Sequence, residues 1–160
     1  MFYDKPVIDS LQRVIKNASH DSIKVNAYLE WDNLIYISDP DKDLELNLKM
    51  KEICEFNLTI NLTDRERKFF LARLATVLNN LGTINQMSGN YPEALENYNR
   101  SLKIYSTSGN KAGMAKSFGN MGVIYNDQGN DEKALLFYNK SLALAKESDD
   151  VSDISNTYLN

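Results

Sequence analysis

One cysteine, one histidine, one tryptophan and three prolines are spread over 160 residues. The single cysteine, Cys54, excludes an internal disulfide framework. The single histidine, His20, excludes any site in one chain that needs two imidazoles. Positive charge is not in excess either: 18 Lys and Arg stand against 22 Asp and Glu, a net charge of −4, with a pI near 5.0. A mildly acidic chain repels phosphate backbones, so non-specific nucleic-acid binding is not expected. No apolar run approaches the roughly 18 residues that cross a bilayer. The start, Met1-Phe2-Tyr3-Asp4-Lys5-Pro6, has no apolar stretch of the kind a signal peptide needs. What is present, 42% hydrophobic and 25% charged residues, is the balance of a folded domain. Little in it suggests an enzyme, and no cofactor is expected.

Apolar residues recur three and four apart almost throughout, which predicts an all-helical protein. Pro6 suits the first turn of a helix reaching about Ala18, with Leu11, Val14 and Ile15 inward. His20-Asp21-Ser22 opens a second helix with Ile23, Ala27, Tyr28, Trp31, Leu34 and Ile35 inward, broken by Asp39-Pro40-Asp41. A third carries Leu44, Leu48, Ile53 and Phe56 inward and ends near Asn57 to Asn61. Thr63 and Glu66 form a capping box ahead of a long helix through Phe69, Phe70, Leu74, Leu78 and Leu81 to Ser88. Gly89-Asn90, Gly109-Asn110 and Gly129-Asn130 then fall about 20 residues apart, with Asp149-Asp150 in the next slot. Glycine or asparagine just past a helix is a common left-handed stop.

The turns mark an internal repeat. Shifted by 40 residues, Ala75, Asn80, Gly82, Ile84, Ala94, Leu95, Tyr98, Ser101 and Leu102 each meet an identical residue in the segment from Ala115, and Asn160 falls where Asn80 and Asn120 stand. Gly82 and Gly122 lie inside helices, where glycine costs roughly 1 kcal/mol relative to alanine. That cost, accepted twice at one phase, implies close approach of a neighbouring backbone. Ala94 and Ala134 supply the matching small surface, with Tyr98 and Tyr138 filling the space beside them.

Leu78, Leu81-Gly82, then Ala94 and Tyr98, and in the second copy Phe118, Met121-Gly122, Tyr125, then Ala134 and Tyr138, resemble the tetratricopeptide repeat. The period is 40 where about 34 is usual, and the proline expected near the end of each unit is absent. Long units of this kind occur in the kinesin light chain family and in bacterial signalling proteins. The resemblance implies an all-α, right-handed superhelix of antiparallel helical hairpins. On that frame, residues 1–20 are an N-terminal capping helix and 21–62 a divergent repeat-like pair. Residues 63–109 are a unit with an extended first helix, 110–149 a further unit, and 150–160 the first helix of a truncated one. The stretch His20-Asp21-Ser22-x-Lys24-Val25, with Ser38-Asp39-Pro40-Asp41, resembles the sensor portions of Bacteroidetes-type signalling proteins, in which such arrays precede a membrane helix and a histidine kinase or cyclase domain. That second resemblance implies a regulatory part of a larger bacterial protein, periplasmic and membrane-anchored, with a cytoplasmic location as the alternative.

In tetratricopeptide arrays the first helix of each pair lines the concave face. Asn80, Asn120 and Asn160 share one phase there, and asparagine is a mediocre helix former. Each amide offers a donor and an acceptor, so the row can clamp an extended peptide's backbone whatever its sequence; it resembles the asparagine row of kinesin light chain relatives. The same amides could equally bond neighbouring helices. Asn79, Thr83, Gln86, Lys116, Val123, Asn126 and Asn156 are expected on the same face. The face lacks the repeated Lys and Arg of a carboxylate clamp. The function expected is therefore non-catalytic binding of a protein, peptide or helix on the concave face. The alternative is an oligomerisation scaffold whose repeat ends self-associate through an uncapped C-terminal helix.

Other motifs read as structural. Asp39-x-Asp41-x-Asp43 opens like a calcium loop, but Leu44 and Met50 stand where glycine and glutamate are needed. His20 and Cys54 have no catalytic partner at a recognisable spacing.

Overall fold

A computed structural model describes residues 5–35 and 38–148. The described residues form seven α-helices and no strand. They are α1 (Lys5–Asn17), α2 (Asp21–Ile35), α3 (Pro40–Thr59), α4 (Asp64–Met87), α5 (Tyr91–Ser108), α6 (Lys111–Asp127) and α7 (Asp131–Ser148). The fold is all-α and built of helical hairpins. The expected helix over 150–160, the turn at Asp149-Asp150, Asn156 and Asn160 lie outside the described residues.

Local chemistry sets the helix ends. Asp39 caps α3 by accepting from the Lys42 amide at 3.1 Å, with Pro40 in the first turn. The capping box of α4 is formed: the Thr63 amide donates to Glu66 Oε2 at 2.9 Å and the Glu66 amide to Thr63 Oγ1 at 3.3 Å. Asn110 and Asn130 cap α6 and α7 by accepting from the amides of Gly113 and Lys133. Gly89, Gly109 and Gly129 have φ of 77°, 70° and 70°, the left-handed stops read from the sequence.

The chain divides at Val77–Leu78, inside α4, into two compact units. In the first, α1 packs on α2 and α2 on α3, around Leu11, Ala27, Trp31, Ile35 and Leu46, with Ile8, Ile15 and Tyr28 beside them. Two polar rungs tie α2 to α3. Asn47 Nδ2 donates to Asp32 Oδ1 at 2.6 Å and to Asp43 Oδ1 at 2.7 Å, and all three residues are buried. Asn57 Nδ2 donates to Asp21 Oδ2 at 2.9 Å and to the Ile53 carbonyl. Asn57 first, then Lys24, holds the Asp21 carboxyl below its usual range.

The inward faces of this unit differ from the expectation. On α3 the buried residues are Asp43, Leu46, Asn47, Met50, Cys54 and Asn57, whereas Leu44, Leu48 and Phe56 are exposed and Ile53 is half-buried. On α2, Ile23 and Leu34 are exposed, and Val25 and Asp32 are buried. On α1 only Leu11 is buried, with Val14 exposed. The reason is that apolar residues fall on several sides of α2 and α3, so periodicity alone does not choose a face. The face that is buried carries Leu46, Met50 and Cys54 together with Asn47 and Asn57, each of which reaches an aspartate on α2.

In the second unit α5 packs on α6 and α6 on α7. Its core is Ala94, Tyr98, Met121 and Ile124, with Tyr91, Leu95, Phe118 and Phe137 packed against it. The neighbour that approaches Gly82 and Gly122 is an aromatic ring, not the expected backbone. A Cβ at Gly82 would stand 2.4 Å from Tyr98 Cε1, and one at Gly122 would stand 2.7 Å from Tyr138 Cδ1. A third such pair, Gly113 under Tyr105, lies outside the repeated positions.

Candidate functional site

The described candidate residues lie on α4 and α6, in the second unit. Asn79 is only 1% exposed. Its Nδ2 donates to Ser117 Oγ at 2.8 Å, and its Oδ1 accepts from Asn120 Nδ2 at 3.1 Å. Ser117 Oγ in turn donates to the Gly113 carbonyl at 3.0 Å. A hydroxyl carries one proton, and this one is committed to Gly113, so Ser117 accepts from Asn79. The bonds therefore run one way, from Asn120 through Asn79 and Ser117 to a backbone carbonyl. With one Asn120 N–H directed at Asn79, the amide keeps its oxygen and its second N–H for other partners, and Asn120 is half-buried.

One turn along α4, the polar groups are tied to α5. Thr83 Oγ1 donates to the Asn79 carbonyl at 3.2 Å. The Tyr98 hydroxyl lies 2.9 Å from Gln86 Oε1 and 3.2 Å from Thr83 Oγ1. Tyr98 is otherwise fully buried, and burial pushes its phenol up to about 12. Tyr138, its repeat counterpart, is only half-buried, and its phenol is raised too, first by burial and then by Asp127.

Asn80 and Val123 are half-buried, while Lys116 and Asn126 are exposed. The structure thus brings Asn79, Asn120, Thr83 and Gln86 into bonded groups. Two participants, Ser117 and Tyr98, were not among the site residues expected from the sequence. Ser117 carried no signal, since the residue 40 positions earlier is Val77. Tyr98 did carry one: tyrosine stands at 98 and 138 where the repeat pattern has phenylalanine, and the extra oxygen is what reaches Gln86.

The remaining chemical groups are placed as follows. Cys54 is buried, and desolvation pushes its thiol up to about 12, away from nucleophilic use. His20 Nδ1 is 2.8 Å from Ser22 Oγ, and its ring stacks 6.5 Å from Phe70. Asp39 caps α3, Asp41 is exposed and Asp43 is turned into the α2–α3 rung. Among the described residues no three His, Cys, Asp or Glu side chains are grouped to hold a metal ion. None of the described helices is long and apolar enough to cross a membrane.

No curated protein matches the chain. Among solved structures it is similar to BtubC (BKLC) from P. vanneervenii, at 20% identity and a TM-score of 0.71, over 96% of this chain and 62% of that one. The present chain therefore spans less than two thirds of that neighbour's length, and at this identity the likeness concerns the fold. It also aligns with MamA at 18% identity and a TM-score of 0.45, over 88% of each chain. Residues 73–147, the segment that carries the repeated glycines, tyrosines and asparagines, match the family model of the tetratricopeptide repeat.

Proposed function

We propose that this chain is a tetratricopeptide array acting as a non-catalytic protein–protein interaction module, binding a peptide or helix on the face formed by the first helices of its pairs. The match over 73–147 supports the general part, since tetratricopeptide repeats mediate protein–protein interaction. In this reading the units are those drawn from the sequence: a cap over 1–20, a divergent pair over 21–62, and units over 63–109 and 110–149.

The observation that carries the site is the one-way bond chain from Asn120 to Gly113. It orients the Asn120 amide and leaves its oxygen and its second N–H for a ligand. Asn79, being buried, orients its neighbours, and Asn80, Thr83, Gln86, Lys116, Asn120, Val123 and Asn126 make the contacts, joined by Asn156 and Asn160. A groove ordered before the ligand arrives loses little conformational entropy on binding. The regulatory setting, a sensor part of a larger bacterial signalling protein, rests on the resemblance of His20–Val25 and Ser38–Asp41 alone.

The test is Asn80→Ala with Asn120→Ala, assayed against peptides selected from a random 12-residue display library. Lost binding with an unchanged sedimentation profile supports the reading. Unchanged binding defeats it.

One observation favours a second reading, self-association. Leu135 and Leu136 on α7 are 61% and 51% exposed, whereas Leu95, the repeat counterpart of Leu135, is packed against the core. An apolar pair exposed in this way among the described residues suits a second copy. Sedimentation of the wild-type protein against Leu135→Lys separates the two readings.

A further inference from the structure

The hydroxyl of Tyr98 sits between the core and the candidate face. Its ring lies on Gly82, and a ring of this shape needs no oxygen there: phenylalanine would fill the same volume. The oxygen instead emerges beside α4, where it meets Thr83 Oγ1 and Gln86 Oε1. A phenol has one proton to give. Thr83 Oγ1 already directs its own proton to the Asn79 carbonyl, and the shorter contact, 2.9 Å, is the one to Gln86. The Tyr98 proton therefore goes to Gln86 Oε1, and the 3.2 Å approach to Thr83 Oγ1 is the weaker, secondary contact of that one proton.

That allocation has a chemical consequence. With its oxygen turned to the buried phenol, the Gln86 amide presents its NH₂ away from Tyr98. A freely rotating glutamine would offer oxygen or nitrogen equally. We propose that Tyr98 is a positioning residue for the binding face, whose hydroxyl locks Gln86 as a hydrogen-bond donor to a backbone carbonyl of an extended peptide ligand. This rests on the reading of that face as a peptide site. The second repeat copy is built differently. The counterparts of Thr83 and Gln86 are Val123 and Asn126. Valine has no hydroxyl, and the shorter asparagine ends one bond sooner. The glutamine lock therefore belongs to the first copy and gives the two copies different donor patterns.

The experiment takes peptides selected on the wild-type chain from a random 12-residue display library and measures their affinity for Tyr98→Phe, Gln86→Glu and Tyr138→Phe. Tyr98→Phe keeps the ring on Gly82 and removes only the oxygen. It is expected to weaken binding about 3- to 10-fold, the value of one hydrogen bond. Gln86→Glu replaces the donor with an acceptor and is expected to weaken binding by more than that. Tyr138→Phe is expected to leave affinity within about twofold. In parallel, ¹⁵N relaxation of the Gln86 side-chain amide is expected to show an ordered NH₂ in the wild type and a mobile one in Tyr98→Phe, a change that loss of stability alone would not confine to Gln86. If selected peptides bind Tyr98→Phe as they bind wild type, or if Tyr138→Phe weakens them equally, the positioning role is overturned while the peptide site stands. If an ordered amide persists in Tyr98→Phe, the lock is overturned. If no peptide is selected, the proposed function falls, and this role with it.

Discussion

The ring of Tyr98 lies directly on the α-carbon of Gly82, with no room between them for a methyl group. A Cβ built there would stand 2.4 Å from Cε1, and the same contact recurs at 2.7 Å between Gly122 and Tyr138. Alanine at Gly82 or Gly122 would gain about 1 kcal/mol of helix propensity, but the ring would have to move out of a filled core. Gly82→Ala and Gly122→Ala are therefore expected to lower stability by about 1–3 kcal/mol net, read as a fall in the urea midpoint at constant slope. Gly119 supplies the contrast. Its Cβ would lie 3.3 Å from Ser141 Oγ, a small polar group, so Gly119→Ala is expected to be neutral or mildly stabilising. A Tyr98→Leu background should relieve most of the Gly82→Ala penalty, because the leucine has no ring to displace.

Much of the fold is legible in the repeat. A 40-residue period locates the glycine stops, the paired helices and the phase of Gly82, since each is dictated by backbone conformation near one residue. The identity of the atom above Gly82 is a tertiary fact, and the period could not supply it. On α3 the apolar pattern points to the wrong side. Leu44, Leu48 and Phe56 form an inward stripe by spacing, yet the buried side is that of Leu46, Met50 and Cys54, which it shares with Asn47 and Asn57, polar residues that a hydrophobic pattern counts as outward. At the candidate site, the phase of Asn120 was legible from Asn80. Its bond to Asn79 was not, because residue 119, the counterpart of Asn79, is glycine and breaks the repeat.

Asn47 holds two carboxylates with one amide, and this should make it the most sensitive polar position of the first unit. Asp32 and Asp43 are 2% and 7% exposed, so water is a poor substitute for the lost donor. Asn47→Ala leaves both short of a hydrogen bond and is expected to cost about 2–4 kcal/mol. Asn57→Ala is expected to cost about 1 kcal/mol, since Asp21 keeps Lys24 at 2.9 Å and is only half-buried. Urea denaturation of the two variants side by side checks the order. Equal costs would mean that burial of Asp32 is not what makes the Asn47 rung matter.

Cys54 should be chemically silent while the chain is folded. Its thiol is buried and raised to about 12, so at neutral pH the thiolate is on the order of 10⁻⁵ of the population. Reaction with an aromatic disulfide reagent is expected to proceed only through opening of the structure, at a rate that rises with urea. The raised pKa values of Cys54 and Tyr98 also predict an alkaline limit. In both groups the folded state favours the neutral form. Their contribution is complete below the unfolded values of 9.0 and 10.0 and is lost as the pH climbs from there towards about 12. Thermal melts between pH 8 and 12 should show stability falling across that interval, with the Cys54→Ala variant losing less than wild type.

The acid side depends on carboxylates held low. Glu45 on α3 accepts from Lys42 at 2.8 Å and from Lys49, and these two bonds, Lys42 first, take its carboxyl to about 2. Asp21 is lowered by Asn57 and then Lys24. A depressed carboxylate stabilises the fold above its unfolded pKa, and the contribution disappears as pH falls through the folded value. Stability of the first unit should therefore hold above about pH 4.5 and decline from there to about pH 2. The two groups are distinguishable by salt. Glu45 is 43% exposed and its partners are lysines on the surface, so 1 M salt should raise its pKa and leave little net stabilisation. Asp21 owes its shift first to the neutral amide of Asn57, which salt does not screen. Side-chain carboxyl NMR titrations at low and high ionic strength are expected to show Glu45 moving up by more than Asp21. A larger movement at Asp21 would mean that Lys24, not the Asn57 rung, holds its charge.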